Sequence, residues 1–193
     1  MLLYAIHRMK IFFILFIFFT LNKSYANNVG GETGLELPRY VSLKSNESNL
    51  RVGPSKNYPI KIKYIIKNLP LKIIEEYDDW RQIVDLDDNT GWIHKSLLKG
   101  ERYAIIISSE YKNIAIFNTA NGKRIGEVGV GTIVYLSKCM TNWCLMIKDN
   151  HKGWLKKKYL WGVKNNEIFN IGIFQTLIDY YYKSINLLDK YIS

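Results

Sequence analysis

Two stretches of this 193-residue chain carry the same features in the same order, about 63 residues apart. In the first, Asn49-Leu50-Arg51-Val52 leads to Tyr77-Asp78-Asp79-Trp80 and then to Gly91-Trp92-Ile93. In the second, Asn113-Ile114-Ala115-Ile116 leads to Met140-Thr141-Asn142-Trp143 and then to Gly153-Trp154-Leu155. The paired Trp residues stand 12 and 11 positions apart. Each second Trp is followed by a helical-turn segment, Lys95-Ser96-Leu97-Leu98 and Lys157-Lys158-Tyr159-Leu160. A fixed order at a fixed period is the mark of a duplicated supersecondary unit. Two copies are too few for a solenoid, so each must close on itself.

Inside each copy the period is that of strands. Ile60, Ile62 and Tyr64 alternate with Lys61 and Lys63, a half-buried strand. Leu69-Pro70 interrupts it, Leu71–Tyr77 forms the next strand, and Asp78-Asp79 turns the chain. Trp80–Asp85 returns with Trp80, Gln82 and Val84 on one face. Asp87–Gly91 is a turn-forming loop before Trp92-Ile93-His94. Four or five short strands in about 60 residues describe a small barrel, because closure removes exposed edges. The expected fold is all-β: two tandem barrels over 39–98 and 101–162, with an amphipathic helix over 167–192. That helix rests on the apolar stripe Ile171, Phe174, Ile178, Tyr181, Ile185, Leu188 and Ile192. It suits docking on the barrels or self-association through residues 171–192.

The amino end predicts export. Arg8-Met9-Lys10 precedes the apolar run Ile11–Phe19, and Ser24-Tyr25-Ala26 ends the segment with small residues at the positions a signal peptidase reads. The run is shorter than the roughly 20 residues a spanning helix needs. Residues 1–26 are therefore expected as a signal peptide and 27–38 as a flexible lead-in. Met9-Lys10 would also begin a compact signal, so Met1 and Met9 both fit as the start. The whole chain has a formal charge of +10 and the segment beyond Ala26 about +7. That suits anionic envelope surfaces. Nucleic acid is not an expected partner for an exported protein, and the location expected is periplasmic or extracellular.

The run Asn49-Leu50-Arg51-Val52-Gly53-Pro54-Ser55, the mid-unit Trp80 and the closing Gly91-Trp92-Ile93 resemble the bacterial SH3-like (SH3b) domain family. The second copy is degenerate: Ala115 stands for the motif Arg, and Asn118-Thr119 for Gly-Pro-Ser. The pair is similar to tandem SH3-domain proteins secreted by alphaproteobacteria. The resemblance implies β-barrels that bind peptidoglycan peptides, other envelope peptides or protein partners, usually without catalysis. It also brings Asn49 into the set of ligand-binding candidates.

Each site residue has two readings. Arg51 either clamps a ligand carboxylate with its planar guanidinium or pairs with Asp85 or Glu75 in its own barrel. Tyr58, Trp80 and Trp92 either line an aromatic groove or pack the core. Trp143 and Trp154 repeat that choice. Lys123, Arg124, Lys138, Lys148, Lys152 and Lys156-Lys157-Lys158 make the second copy the more basic one, as a binding face or a merely solvated one. Cys139 and Cys144 flank a turn and are expected to form a disulfide in an oxidising compartment. With no positioned His beside them, thiol catalysis is not expected.

No phosphate-binding glycine loop, HExxH, Gly-x-Ser-x-Gly or EF-hand motif occurs in the chain. The acid pairs Glu75-Glu76, Asp78-Asp79 and Asp87-Asp88 read as surface turn chemistry. No enzyme activity, cofactor or metal is expected. The function expected is a binding module for peptidoglycan stem peptides or other envelope peptides. Its rivals are a scaffold for envelope proteins and an accessory to a cell-wall hydrolase.

Overall fold

A computed structural model describes residues 28–172. The expected signal peptide lies outside these residues, as does the expected helix beyond Gly172. The part of the 167–192 span that is described contains no helix: Phe169 is extended and bridges to Cys139.

The described chain is all-β, in two seven-stranded antiparallel sheets. The first comprises β1 (Arg39–Leu43), β2 (Ser48–Arg51), β3 (Ile60–Tyr64), β4 (Pro70–Tyr77), β5 (Trp80–Val84), β6 (Thr90–His94) and β7 (Leu98–Lys99). The second comprises β8 (Tyr103–Ile106), β9 (Asn113–Phe117), β10 (Arg124–Gly129), β11 (Ile133–Cys139), β12 (Trp143–Lys148), β13 (His151–Lys156) and β14 (Leu160–Trp161). Strand order is β3-β2-β6-β5-β4-β1-β7 in one and β10-β9-β13-β12-β11-β8-β14 in the other. Adding seven to each label converts the first order into the second, so the sequence repeat is a repeat of topology. The short 3-10 turns Lys95–Leu97 and Lys157–Tyr159 sit at equivalent places, where helical turns were expected.

Each sheet wraps its own core. Leu43, Leu50, Leu71, Ile73, Ile83 and Ile93 fill the first, and Ile106, Ile114, Val134, Leu136, Met146 and Leu155 the second. Alternation decides which side chains enter: along β6, Gly91 and Ile93 are buried while Thr90, Trp92 and His94 look outward. The β4–β5 turn places Asp78 at φ 49°, a region that Asp tolerates better than most residues. The β12–β13 turn is a two-residue loop with Asp149 and Asn150 both at positive φ, as a type I′ hairpin requires. Its counterpart in the first barrel is longer. There the Asp85 carboxylate accepts hydrogen bonds from Asp87 N, Asn89 N, Asn89 Nδ2 and the Tyr64 hydroxyl.

The barrels dock on each other. Ser42 is fully buried and donates to Glu101 O at 2.9 Å, while Tyr103 N donates back to it at 3.3 Å. The Tyr40 and Trp161 rings meet edge to face at 5.4 Å.

Residues 28–37, expected as part of a flexible lead-in, form a small ordered hairpin. Val29 bridges Glu36, Gly30 N donates to Leu35 O, and Leu37 enters the first core. The hairpin is tied to Glu76, whose side chain is completely buried. That carboxylate accepts from Glu32 N, Thr33 N, Thr33 Oγ1 and Arg39 Nη2, and Arg81 Nε lies 3.4 Å away. Glu76 is therefore a clamp, not the surface acid its Glu75-Glu76 context suggests. Burial raises its pKa, but the hydrogen bonds from Thr33 and Arg39 outweigh burial and hold the carboxyl below its usual range.

Candidate functional site

The outward face of the first barrel collects most of the expected site residues. Register places Arg51 opposite Trp92, Trp92 opposite Gln82, and Gln82 opposite Glu75, one row across β2, β6, β5 and β4. The next row holds His94, Trp80 and Tyr77. Tyr77 crosses diagonally to pack edge to face on Trp92 at 6.5 Å, and Trp80 packs on His94 at 5.4 Å. Asn49 lies on the same outward side of β2, two residues before Arg51.

Arg51 makes neither expected internal pair. Its Nη1 donates at 2.7 Å to the carbonyl of Tyr58, which ties the guanidinium to the loop following β2. No acid lies within ion-pair distance of it among the described residues, so its remaining donors are open to a ligand carboxylate. The loop itself is built by the Gly-Pro-Ser motif. Ser55 N donates to Gly53 O, Tyr58 N to Ser55 O, and Val52 N to Pro59 O. The Tyr58 ring lies flat on Gly53, where a Cβ would stand 2.7 Å from three ring carbons. That contact favours glycine as long as the ring stays there, and it leaves the other side of Tyr58 facing solvent.

The two Trp residues differ. Trp80 is 8 % exposed and offers a ligand almost nothing, whereas Trp92 is half-buried. The aromatic surface of this face is therefore Trp92 with Tyr77 (60 % exposed), and Tyr58 at its edge. Tyr77 was not among the expected site residues. Its signal in the sequence was its place beside the Asp78-Asp79 turn, opposite Trp80. Below this row Asp79 pairs with Lys95 at 2.6 Å, and that hydrogen bond holds the Asp79 carboxyl below its usual range.

The second barrel presents the equivalent rows with other chemistry. Phe117 faces Trp154, and Trp154 faces Leu145, which faces Lys138. Because both closing Trp residues mark the same place, the residue equivalent to Arg51 is Phe117, two positions beyond the Ala115 of the sequence alignment. The row below contains Lys156 opposite the buried Trp143. Lys157, the middle of the three-lysine run, points inward instead. It is 4 % exposed and donates to Asn165 O and Glu167 O. Burial lowers its pKa, with Glu167 partly offsetting that. Cys139 and Cys144 are bonded across the β11–β12 pair. Among the described residues no group of three or more His, Cys, Asp and Glu could hold a metal ion, and no helix is long and apolar enough to cross a membrane.

The bacterial SH3 domain family matches residues 44–100. No curated protein matches the chain. Solved structures similar to it include NlpC2 from Trichomonas vaginalis, at 11% identity and TM-score 0.29, covering 64% of this chain and 48% of that one. An NlpC/P60 family protein from Bacillus cereus ATCC 10987 matches at 12% identity and TM-score 0.29, covering 72% and 61%. NlpC1 from T. vaginalis matches at 10% identity and TM-score 0.29, covering 68% and 48%. The chain thus spans about half to three fifths of the length of these proteins. With the motif run, the closing Trp92 and the family match all falling in the first barrel, that barrel is a bacterial SH3 domain.

Proposed function

We propose that the protein is an exported, non-catalytic binding module of the cell envelope whose first barrel recognises peptides bearing free carboxylates, the stem peptides of peptidoglycan above all. Bacterial SH3 domains commonly bind cell-wall components, which gives the coarse assignment. The observation that carries the finer one is the row Arg51–Trp92 with Tyr77 and Tyr58 beside it. The loop carbonyl holds the guanidinium in one orientation, so less side-chain entropy is lost when it meets a carboxylate. Trp92 and Tyr77 supply an amphipathic ledge for the peptide backbone. The disulfide fits an oxidising compartment.

Retention on isolated sacculi tests this reading. Arg51→Ala should lower retention at least about tenfold, the scale for a charge-assisted hydrogen bond. Arg51→Lys, which keeps the charge and loses the planar fork, should fall between. An N-acetylated dipeptide with a free carboxylate should compete, and its carboxamide should not. Retention unchanged in Arg51→Ala with the fold intact would sink the proposal.

A further inference from the structure

The second barrel carries a recognition surface of its own. A groove of about 290 Å³ runs along the outer side of β9 and β10. Tyr111, Phe117 and Tyr159 wall it, Ala115 contributes to its lining, and Arg124, Glu127 and Lys156 stand around it. Tyr111 packs edge to face on Tyr159 at 6.4 Å, and Phe117 on Trp143 at 5.2 Å, so the rings are braced in place. Phe117 also leads across the strand pair to Trp154, which extends the aromatic surface beyond the groove.

Cations stand along this whole surface. Lys156 lies over Trp143 at 5.7 Å, Lys138 over Trp154 at 6.0 Å and Lys158 over Tyr159 at 4.8 Å. The one acid in the groove, Glu127, is already held by Arg124. The charge left over is positive, where the matching row of the first barrel contains Glu75. Among the described residues no cation stands over Tyr111 or Phe117, which leaves their faces for stacking.

We propose that this surface binds a linear polysaccharide that carries carboxylates. Flat, braced ring faces accept the C–H face of a sugar, and lysines spaced along them meet the anionic groups of successive residues. The cavity is at the small end of ligand pockets, about 300–1,000 Å³, which suits one sugar unit of a longer chain. A lipid surface fits less well. Insertion needs a broad apolar surface free of cations, whereas here ammonium groups stand over Trp143, Trp154 and Tyr159. The proposal is independent of the Arg51 reading, since the two faces belong to different barrels.

The test is calorimetric titration of the purified protein with an oligogalacturonate, the neutral maltohexaose, and vesicles containing phosphatidylglycerol. The expected result is binding of the oligogalacturonate that weakens as salt rises, with maltohexaose at least about tenfold weaker. Tyr111→Ala, at a side chain that is largely in solvent, should weaken binding by about tenfold, and Lys156→Gln by several-fold. Arg51→Ala should change nothing. Three outcomes overturn the proposal: no binding, tighter binding to the vesicles, or full affinity in Tyr111→Ala, which would mean a patch of charge without a stacking site.

Discussion

The same cross-strand position is closed by different chemistry in the two barrels. In the first, Glu76 faces Arg81 at the end of the β4–β5 pair. In the second, the equivalent facing residues are Cys139 and Cys144. One barrel places a buried ion pair there and the other a disulfide. Both use the spot to anchor a segment that flanks the barrel. The 28–37 hairpin docks on Glu76 through Thr33, while Phe169 exchanges backbone hydrogen bonds with Cys139. A barrel of about 60 residues has a marginal core, and each copy supplements it at its open end. The inward pattern of the repeat fixes the backbone and tolerates little change. The outer face is free of that constraint and diverges; this end position is buried, and it diverges because each copy docks a different flanking segment on it.

The largest expected effect comes from breaking the ionic version. Glu76→Gln leaves the buried Arg81 and the part-buried Arg39 beside a neutral amide. Removing one partner of a buried pair costs about 3–5 kcal/mol. Urea denaturation should split into two transitions, with the first barrel melting early and the 28–37 hairpin released. One unshifted transition would mean that the clamp contributes little. The same group sets a pH dependence. Its folded pKa lies below the unfolded one, so its stabilisation is whole above the ordinary carboxylate value, about 4.3. It is lost as pH falls from there through the lower folded value. Acid should therefore weaken the first barrel more in the wild type than in Glu76→Gln, where, among the described residues, only Asp79 still carries a lowered carboxyl.

Breaking the covalent version should cost less. The Cys139–Cys144 loop is short, and the loop-entropy relation gives about 2 kcal/mol for its closure. The double variant Cys139→Ser/Cys144→Ser should destabilise the second barrel by that amount and leave the first unaffected. Equal losses in both transitions would show that the barrels unfold as one unit.

The strands were legible in the sequence because period two and turn residues agree on them. Ile60, Ile62 and Tyr64 with Lys61 and Lys63 read as a strand and are one. Glu76 was not legible, and the reason is a bulge. Leu71 and Ile73 point inward, so strict alternation sends Glu75 inward and Glu76 out. The register shift between Ile73 and Glu75 reverses the parity and buries Glu76. The second barrel repeats the shift between Leu136 and Lys138, which is how Cys139 comes to point in. Phe117 was missed for a related reason: Asn113 resembles Asn49 in sequence, yet pairing to the closing Trp aligns the strands two residues further on. On the first barrel Arg51 and Trp92 were visible in the motif, and Tyr58 as an aromatic beside the turn that follows it. Tyr77 needed the diagonal contact that only sheet geometry supplies.

A third pair of variants sharpens the same comparison. Lys95 and Lys157 occupy equivalent 3-10 turns, and their backbone N–H groups bond Asp79 O and Asn142 O. Lys95 is half in solvent, and its salt bridge to Asp79 is of the exposed kind. Lys95→Ala should therefore cost less than about 0.5 kcal/mol. Lys157 is buried, and its ammonium satisfies two carbonyls of the 165–167 segment. Lys157→Ala leaves both unpaired and should cost about 2 kcal/mol, read as a shift of the second barrel's transition alone. Equal effects at the two positions would contradict the buried contacts.

A smaller stability effect than at Lys157 is expected at Gly53. An added Cβ collides with the Tyr58 ring, but that ring is half-exposed and can swing away. Gly53→Ala should therefore cost only about 1 kcal/mol, the scale for a modest overpacking strain. It should move binding more than stability, because the loop carbonyl that orients Arg51 belongs to Tyr58. In the second barrel the loop after Phe117 is built instead around Asn118, which accepts from Thr119 N and Lys123 N, so this variant separates the faces. A loss of sacculus retention with oligogalacturonate affinity unchanged places peptide recognition on the loop, and retention equal to wild type removes the loop from it.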